Sequence, residues 1–177
     1  GITVSVIDDK AITRNGVADS FDVARLTPGL NMVPSAGYGG SANFTLRGVG
    51  LNNYSEVQEA AVAVYSDDFY IAPLIGSVLG AFDLERIEVL RGPQGTLFGR
   101  SASGGLVHYI SKRPGSKFEG NAAVRYGAYN ERRIDAAVGG PLGDTVSVRI
   151  AGNYGKVDGW LKNTAGPNQY GEEKWGI

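Results

Sequence analysis

The 177-residue chain contains no cysteine and only one histidine, His108. The absence of cysteine excludes disulfides, thiol catalysis and thiolate metal sites. A single histidine without partner ligands does not form a metal site, so we interpret His108 as a core residue with its hydrogen bonds satisfied. No run of about 18 apolar residues occurs, which predicts that the chain has no transmembrane helix. The formal net charge of −1 offers nucleic acid no bulk attraction. We therefore predict no metal, no cofactor and no nucleic-acid partner.

Few residues carry any signal of catalysis. Ser101 and Ser103 lie in a glycine-rich segment, but neither sits in the Gly-x-Ser-x-Gly elbow of a hydrolase. The adjacent carboxylates of Asp67 and Asp68 fall short of a calcium loop and are better interpreted as a turn between two strands. The glycine-rich segment also lacks the Gly-Lys-Ser/Thr of a phosphate-binding loop. We predict no catalytic residue, and an enzyme is the weakest functional hypothesis.

Glycine, in contrast, is abundant: its 27 residues are about twice the usual share. Its densest cluster separates two predicted strands over residues 86–90 and 106–111, which are rich in β-branched and apolar residues. Pro93 ends the first of these strands because it cannot donate to a strand ladder. The glycines permit positive φ and close backbone approach. The pattern predicts two buried strands joined by a tightly folded connector.

Short helices and strands precede this stretch. Asp8 or Asp9 is predicted to cap a helix that ends at Asn15 and Gly16, and a second helix is predicted over residues 18–26. Val17, just before the second helix, and Phe21 and Ala24 within it fall at helical spacing and are predicted to face a core. The other predicted strands cover residues 3–7, 30–33, 44–47, 61–65 and 69–71.

The pattern changes after Pro114. Three segments of about ten residues then alternate apolar with polar residues, as the strands of a transmembrane β-barrel do. The same alternation fits a soluble antiparallel sheet with one wet face, and periodicity alone favours the soluble sheet because such sheets are commoner.

Several motifs carry a family resemblance. They are LTPGL (26–30), FTLRGVG (44–50), VAVYSDDFYI (62–71), ERIEVLRGPQGTLFG (85–99), SGG (103–105) and ISKRP (110–114). In this order, and over nearly all of residues 2–114, the sequence resembles the plug domain of TonB-dependent outer-membrane receptors. Asp68 is a mild departure, since the family often has an Asp-Gly turn at this place.

The resemblance implies an α+β plug domain over residues 1–114, with a small mixed sheet, short helices and long loops. Residues 115–177 would be the first antiparallel strands, about three in number, of a transmembrane β-barrel, which reverses the preference for a soluble sheet. A plugged transporter barrel has about 22 strands. We therefore expect a longer native protein, with the rest of the barrel downstream and a TonB box upstream of this chain.

The implied function is energy-coupled uptake of a scarce nutrient across the bacterial outer membrane. A ferric siderophore is the leading example, and haem, cobalamin and glycans are the other classes known for the family. The implied partners are TonB, acting through an N-terminal segment missing here, an extracellular nutrient ligand and outer-membrane lipid. The alternative hypothesis is a soluble β-rich module that binds a ligand or a glycan.

Two arginines stand out because each follows leucine and precedes glycine, at the predicted end of a strand: Arg47 and Arg91. A desolvated arginine prefers bidentate pairing with a carboxylate. The resemblance implies that both face the barrel wall and pair with barrel carboxylates, in a network that Glu85 and Glu88 can join. Two ordinary surface arginines are the alternative interpretation.

Four loop residues are candidates for contact with an external ligand. The resemblance places Tyr38, Asn52, Asn53 and Tyr54 at the apex of the plug, facing outside. Tyrosine and asparagine can stack on a ligand and hydrogen-bond it. The alternative is that they are ordinary loop residues.

Overall fold

The structure is a computed structural model that describes residues 3–34, 42–50, 60–71, 78–98, 102–159, 164 and 172–176. The chain divides into two compact units, an N-terminal unit (Gly1–Lys112) and a C-terminal unit (Arg113–Ile177). None of the helices within these described ranges is both long enough and apolar enough to span a membrane.

The N-terminal unit combines short helices with short strands. Its helices are α1 (Asp9–Asn15), α2 (Ser20–Leu26) and α3 (Gly95–Phe98). Its strands are β1 (Thr3–Asp8), β2 (Leu30–Pro34), β3 (Ala42–Leu46), β4 (Val49–Gly50), β5 (Val62–Ser66), β6 (Phe69–Ile71), β7 (Leu84–Arg91) and β8 (Gly105–Ser111).

Five strands form one mixed sheet in the order β1-β7-β8-β5-β6. Strand β7 pairs antiparallel with both β1 and β8, β5 runs parallel to β8, and β6 returns antiparallel along β5. The sequence of β7 suits this central position. Ile87 and Val89 are fully buried on one face, and Arg86 and Glu88 occupy the other.

A second, antiparallel sheet contains β2, β3 and β4. The turn at residues 27–30 leads into it, with Pro28 in the second position and Gly29 at φ 81° in the third, the pattern of a type II turn. The strand predicted through Arg47 ends one residue earlier. Arg47 and Gly48 take φ values of 52° and 81° and turn the chain into β4, which the sequence did not indicate.

The first two helices are capped by aspartates. Asp8 is the N-cap of α1, because its Oδ1 accepts from the backbone N–H of Ala11 at 2.7 Å, and Gly16 ends the helix at φ 63°. Helix α2 begins at Ser20, two residues later than predicted, because Asp19 occupies its N-cap.

The main core lies between the mixed sheet, the small sheet and these two helices. Val17, Phe21 and Ala24, predicted to face a core, all pack into it. On the other face of the mixed sheet lies a smaller cluster of Ala63, Ala102 and Leu106, with Tyr65, Leu90 and Phe98 packed against it.

The C-terminal unit is an antiparallel sheet in the order β12-β11-β10-β9. Its strands are β9 (Glu119–Tyr126), β10 (Arg132–Pro141), β11 (Ser147–Val157) and β12 (Glu172–Gly176), so the structure adds a fourth strand to the three predicted. Among the residues described, β9 and β12 each pair on one side only, and the sheet is open.

The two faces of this sheet differ in polarity, as the alternation predicted. One face carries exposed apolar side chains, among them Val124, Ile134 and Ile150. On the other face Arg133 donates from Nε to both carboxylate oxygens of Asp135 at 3.1 Å.

Candidate functional site

Both Leu-Arg-Gly arginines of the N-terminal unit meet the same turn, at residues 27–30. The backbone N–H of Arg47 donates to the Gly29 carbonyl at 2.8 Å, and Nη2 of Arg91 donates to the Pro28 carbonyl at 3.1 Å. The sequence motifs LTPGL, FTLRG and EVLRG are therefore parts of one structural cluster. We call Arg47, Arg91 and the turn at 27–30 the arginine–turn cluster.

Within this cluster the two arginines differ in exposure. Arg91 ends β7 on the face that carries Ile87 and Val89 and is only 8% exposed, whereas Arg47 is exposed. A guanidinium has five N–H donors, and the Pro28 carbonyl accepts from one of its nitrogens. Over the described ranges, no carboxylate lies within ion-pair distance of Arg91. A buried cation in this state is costly unless an anion from elsewhere pairs with it.

A further buried polar atom lies in the same turn. Thr27 is 2% exposed, and its Oγ1 has no hydrogen-bond partner among the described residues. Its backbone N–H donates to Ala24, and its carbonyl accepts from Leu30. The arginine–turn cluster thus combines a buried cation with a buried hydroxyl for which the described part of the chain provides no hydrogen-bond partner.

The two glutamates predicted to join the arginines lie elsewhere. Glu85 and Glu88 both pair with Arg86, the latter at 2.6 Å between Oε1 and Nε. These pairs raise the pKa of Arg86, chiefly through its hydrogen bond to Glu88. Because Arg86 and Glu88 are on the face of β7 opposite Arg91, the structure brings the glutamates together around Arg86 and not around the arginine–turn cluster.

The four candidate ligand contacts, Tyr38, Asn52, Asn53 and Tyr54, lie outside the described residues, as does Ser101. The structure therefore leaves them as predictions.

The glycine-rich connector closes on itself through backbone hydrogen bonds. Gly92 N–H donates to the Gly104 carbonyl at 3.2 Å, and Gln94 N–H donates to the Ala102 carbonyl at 2.9 Å. Gly105 takes φ 138°, and a Cβ at that position would lie 2.3 Å from the carbonyl oxygen of Leu90. Glycine is required there because the neighbouring backbone occupies the space of a side chain.

The Asp67–Asp68 turn also makes contacts with β8 that the sequence did not predict. Asp67 takes φ 49°, and its N–H donates to the Tyr109 carbonyl at 2.8 Å. Its carboxylate accepts from the N–H and the hydroxyl of Ser111 at 2.8 and 2.9 Å. Asp67 thus ties the β5–β6 hairpin to the end of β8. The sequence feature that could have indicated these contacts is the aspartate itself, because aspartate tolerates positive φ and hydrogen-bonds nearby backbone groups.

His108 is half-buried beside this turn. Its Nε2 lies 2.5 Å from the Asp67 carbonyl, and its ring packs edge-on against Tyr65 and Phe98. These contacts agree with a histidine whose polar atom is satisfied by the protein. Among the residues described, no group of acidic or histidine side chains is arranged to hold a metal ion.

A buried hydroxyl network that the sequence did not predict crosses the main core. Tyr109 is 1% exposed, and its hydroxyl donates to Ser20 Oγ at 2.6 Å. Ser20 Oγ also accepts from the backbone N–H of Leu79 at 2.9 Å. Burial raises the pKa of Tyr109 well above its ordinary value. The sequence feature that could have indicated this network is a tyrosine on the buried face of an apolar strand, because a buried phenol needs a hydrogen-bond partner.

In the C-terminal unit, Asn130 organises the connection between β9 and β10. Its Oδ1 accepts from the Tyr126 hydroxyl at 3.2 Å and from Nη2 of Arg132 at 2.9 Å. Its Nδ2 donates to Asp158 Oδ2 at 3.2 Å, at the end of β11. Asn130 has φ 56°, which asparagine adopts more readily than most residues.

Comparison with known proteins agrees with this architecture. The family described as the TonB-dependent Receptor Plug Domain matches residues 1–106. The pesticin receptor of Yersinia pestis is 29% identical over 144 residues, covering 81% of this chain and 21% of that protein. The catecholate siderophore receptor Fiu of Escherichia coli K12 is 29% identical over 176 residues, covering 99% of this chain and 21% of that protein.

Solved structures give the same result. The ferric yersiniabactin uptake receptor FyuA from Yersinia pestis superimposes with a TM-score of 0.80 at 26% identity, covering 94% of this chain and 26% of that one. The ferric-catecholate import receptor Fiu from E. coli K12 gives a TM-score of 0.70 at 25% identity, covering 92% and 22%. The chain spans about a fifth of the length of the curated relatives it matches.

Proposed function

Because this chain belongs to the family of TonB-dependent receptor plug domains, we propose that it is the plug and the first barrel strands of a receptor that takes up a ferric siderophore. The predicted α+β plug, with its mixed sheet and short helices, is confirmed by the family match and by the structural neighbours. The single observation that carries the proposal is the plug match over residues 1–106. The siderophore class is taken from relatives whose names specify it.

The family consists of receptors and transporters, not enzymes, and the outer-membrane location predicted from the sequence is confirmed. We infer that this chain binds and gates without breaking a bond, with energy delivered by TonB. The soluble glycan-binding module loses its support, because it rested on strand periodicity alone.

In this proposal the C-terminal unit meets lipid with its apolar face. Val124, Ile134 and Tyr154 are opposite one another on β9, β10 and β11 and are all exposed. Phe118, which directly precedes β9, and Tyr126, at the other end of that strand, are also exposed. Apolar bands flanked by aromatic residues are typical of strands in outer-membrane barrels.

The arginine–turn cluster gives the plug a means of attachment. Arg91 is buried and has no described carboxylate partner, so a carboxylate on the barrel wall would neutralise it. Exposed Arg47 shares the turn and would extend the same contact surface. Glu85 and Glu88 would take part only through their pair with Arg86. The apical contacts of Tyr38, Asn52, Asn53 and Tyr54 remain a prediction.

Uptake of iron tests the proposed function directly. The complete receptor is expressed in a siderophore-deficient strain that lacks its own ferric siderophore receptors, and cells are offered radioactive iron bound to catecholate or phenolate siderophores. We expect TonB-dependent uptake of at least one of these complexes. Equal uptake by cells with and without the receptor for every ferric complex would contradict the siderophore assignment.

Plug attachment is tested by Arg91→Ala in the complete receptor, in a planar bilayer. Loss of one member of a buried ion pair costs about 3–5 kcal/mol, because the other charge is left unpaired. We expect more frequent or larger channel openings than in the unchanged receptor. The matched control is Arg14→Ala, which removes an exposed arginine on α1. Conductance equal to that of the control would remove Arg91 from plug attachment.

A further inference from the structure

Thr27 occupies the first position of the turn in the arginine–turn cluster, and its side chain is buried. It is 2% exposed and is the C-cap residue of α2. Both of its backbone groups are bonded, because its N–H donates to the Ala24 carbonyl at 3.2 Å and its carbonyl accepts from the Leu30 N–H at 3.1 Å. Its Oγ1 has no hydrogen-bond partner among the described residues. The unused polar group of Thr27 is therefore its hydroxyl.

Local structure does not satisfy this hydroxyl. A threonine next to a helix can bond its hydroxyl to a carbonyl three or four residues earlier, but the Oγ1 of Thr27 makes no such bond. The bonded backbone and the restricted χ1 of a β-branched side chain hold the hydroxyl in its buried position. A buried donor without a partner costs a factor of about ten or more in the folding equilibrium. We therefore expect the hydroxyl to meet a partner in the complete receptor.

Arg91 has unused donors at the same turn. It is 8% exposed, and among the described residues its guanidinium has one acceptor, the Pro28 carbonyl at 3.1 Å from Nη2. A guanidinium carries five N–H donors, so most of them remain for another acceptor. Pro28 directly follows Thr27 in the chain. Two buried groups that need an acceptor therefore belong to one turn.

A single carboxylate can serve both groups. Its two oxygens offer about four lone-pair sites, so they can accept from a guanidinium and from a hydroxyl at the same time. Bonds from such donors to an ionised oxygen are roughly twice as strong as bonds between neutral groups. A carbonyl or a water molecule would satisfy Thr27 but would leave the buried cation of Arg91 without a counter-charge.

We propose that Thr27 is a positioning residue for plug attachment, whose hydroxyl donates to the barrel-wall carboxylate that neutralises Arg91. This inference rests on the proposed function, in which that carboxylate holds the plug in the barrel. Thr27 fixes one oxygen of the carboxylate and thereby orients the other oxygen towards the guanidinium. Opening of the plug then requires both bonds to break.

Planar-bilayer conductance of the complete receptor tests this role, with the fraction of time that the channel is open as the measured quantity. Thr27→Val keeps the β-branched shape of threonine and removes the hydroxyl. We expect it to raise the open fraction about tenfold, the factor that a hydrogen bond to a charged acceptor contributes. Thr27→Ser retains the hydroxyl and should keep the open fraction close to that of the unchanged receptor.

The matched control is Thr13→Val. Thr13 is exposed on α1, and its hydroxyl donates to the Asp9 carbonyl of the same helix at 2.9 Å. Its loss should leave the open fraction unchanged, because this bond lies within one helix.

A double variant separates a shared carboxylate from any other partner of Thr27. In the Arg91→Ala background there is no guanidinium left to orient towards, so Thr27→Val should raise the open fraction by much less than tenfold. Substitutions within one hydrogen-bond network are not additive, whereas those at independent sites are. Full additivity would show that water or a separate group accepts from Thr27, and it would overturn the shared site.

The outcomes separate this proposal from the proposed function. An open fraction for Thr27→Val that equals or falls below that of the unchanged receptor overturns the positioning role, because the loss of an unpaired buried hydroxyl carries no penalty. An equal rise for Thr27→Ser and Thr27→Val overturns it as well, since the hydroxyl is then not the cause. Uptake of ferric siderophore by the unchanged receptor stands under both results. Absence of all uptake contradicts the siderophore assignment, whereas the conductance comparison needs only the plug and the barrel.

Discussion

The hydroxyl network at Ser20 predicts which of two substitutions, Ser20→Ala or Tyr109→Phe, destabilises the plug more. Ser20→Ala removes one oxygen that serves two donors, the Tyr109 hydroxyl and the Leu79 N–H. Tyr109→Phe removes only one donor and leaves Ser20 bonded to Leu79. Ser20 lies in the first turn of α2, where alanine is a good helix former, so the substitution carries no helix penalty. Although each substitution removes a single hydroxyl group, Ser20→Ala should therefore be the more damaging of the two.

The magnitudes follow from what each variant leaves unpaired. An unsatisfied buried donor costs about 1–3 kcal/mol, and an ordinary hydrogen bond contributes about 1 kcal/mol. Ser20→Ala orphans a fully buried phenol and breaks the bond to half-buried Leu79, for a total of about 2–4 kcal/mol. Tyr109→Phe should cost about 1 kcal/mol. In the double variant no phenol is left unpaired, so it should be more stable than Ser20→Ala alone.

Urea unfolding of residues 1–112, followed by circular dichroism, measures all four proteins. We expect this segment to fold by itself because it forms a compact unit with its own core. The reasoning is refuted if Ser20→Ala is no more destabilising than Tyr109→Phe, or if adding Tyr109→Phe to Ser20→Ala lowers stability further. Either result would mean that water or a rearranged side chain satisfies the phenol.

Two further predictions use the same segment. Gly105→Ala should destabilise it by about 3 kcal/mol or more, because φ 138° is strained for alanine and the new Cβ meets the Leu90 carbonyl. The control is Gly95→Ala, whose new Cβ meets no atom within 4 Å. It should change the free energy of unfolding by no more than about 0.5 kcal/mol in the same urea titration. The raised pKa of Tyr109 favours the neutral phenol in the folded state, so its contribution is intact below the unfolded pKa of about 10 and is lost as pH rises above it. The stability difference between the unchanged protein and Tyr109→Phe should therefore shrink between about pH 9 and pH 11, and a constant difference would show that the phenol ionises normally in the folded state.

Elements with strong local patterns were predictable from the sequence. The β-branched and apolar residues at 86–90 indicated β7. Asp8 and Gly16 set the ends of α1 almost as predicted. In each case the determining interactions lie within a few residues, where propensity and capping act.

Features that depend on distant partners were not predictable. Strand β12 exists through its pairing with β11, and the short strand β4 through its pairing with β3. Arg91 ends a strand before glycine, as the sequence indicated, but its burial and its bond to Pro28 depend on a residue 63 positions away in the chain. The resemblance implied that Glu85 and Glu88 could join the network of the arginines, whereas alternation in β7 puts Glu88 on the opposite face from Arg91.

The pairing of β1 with β7 determines the order in which the plug can be completed during synthesis. Thr3 pairs with Arg91, a separation of 88 residues, and β5 pairs in parallel with β8 across a crossover of about 40 residues. A ribosome or an export channel releases β1 first, yet its partner strand emerges near the end of the unit. Contacts of such long sequence separation form slowly. Until then β1 has no sheet to join, and its unpaired backbone edge is open to association with other chains.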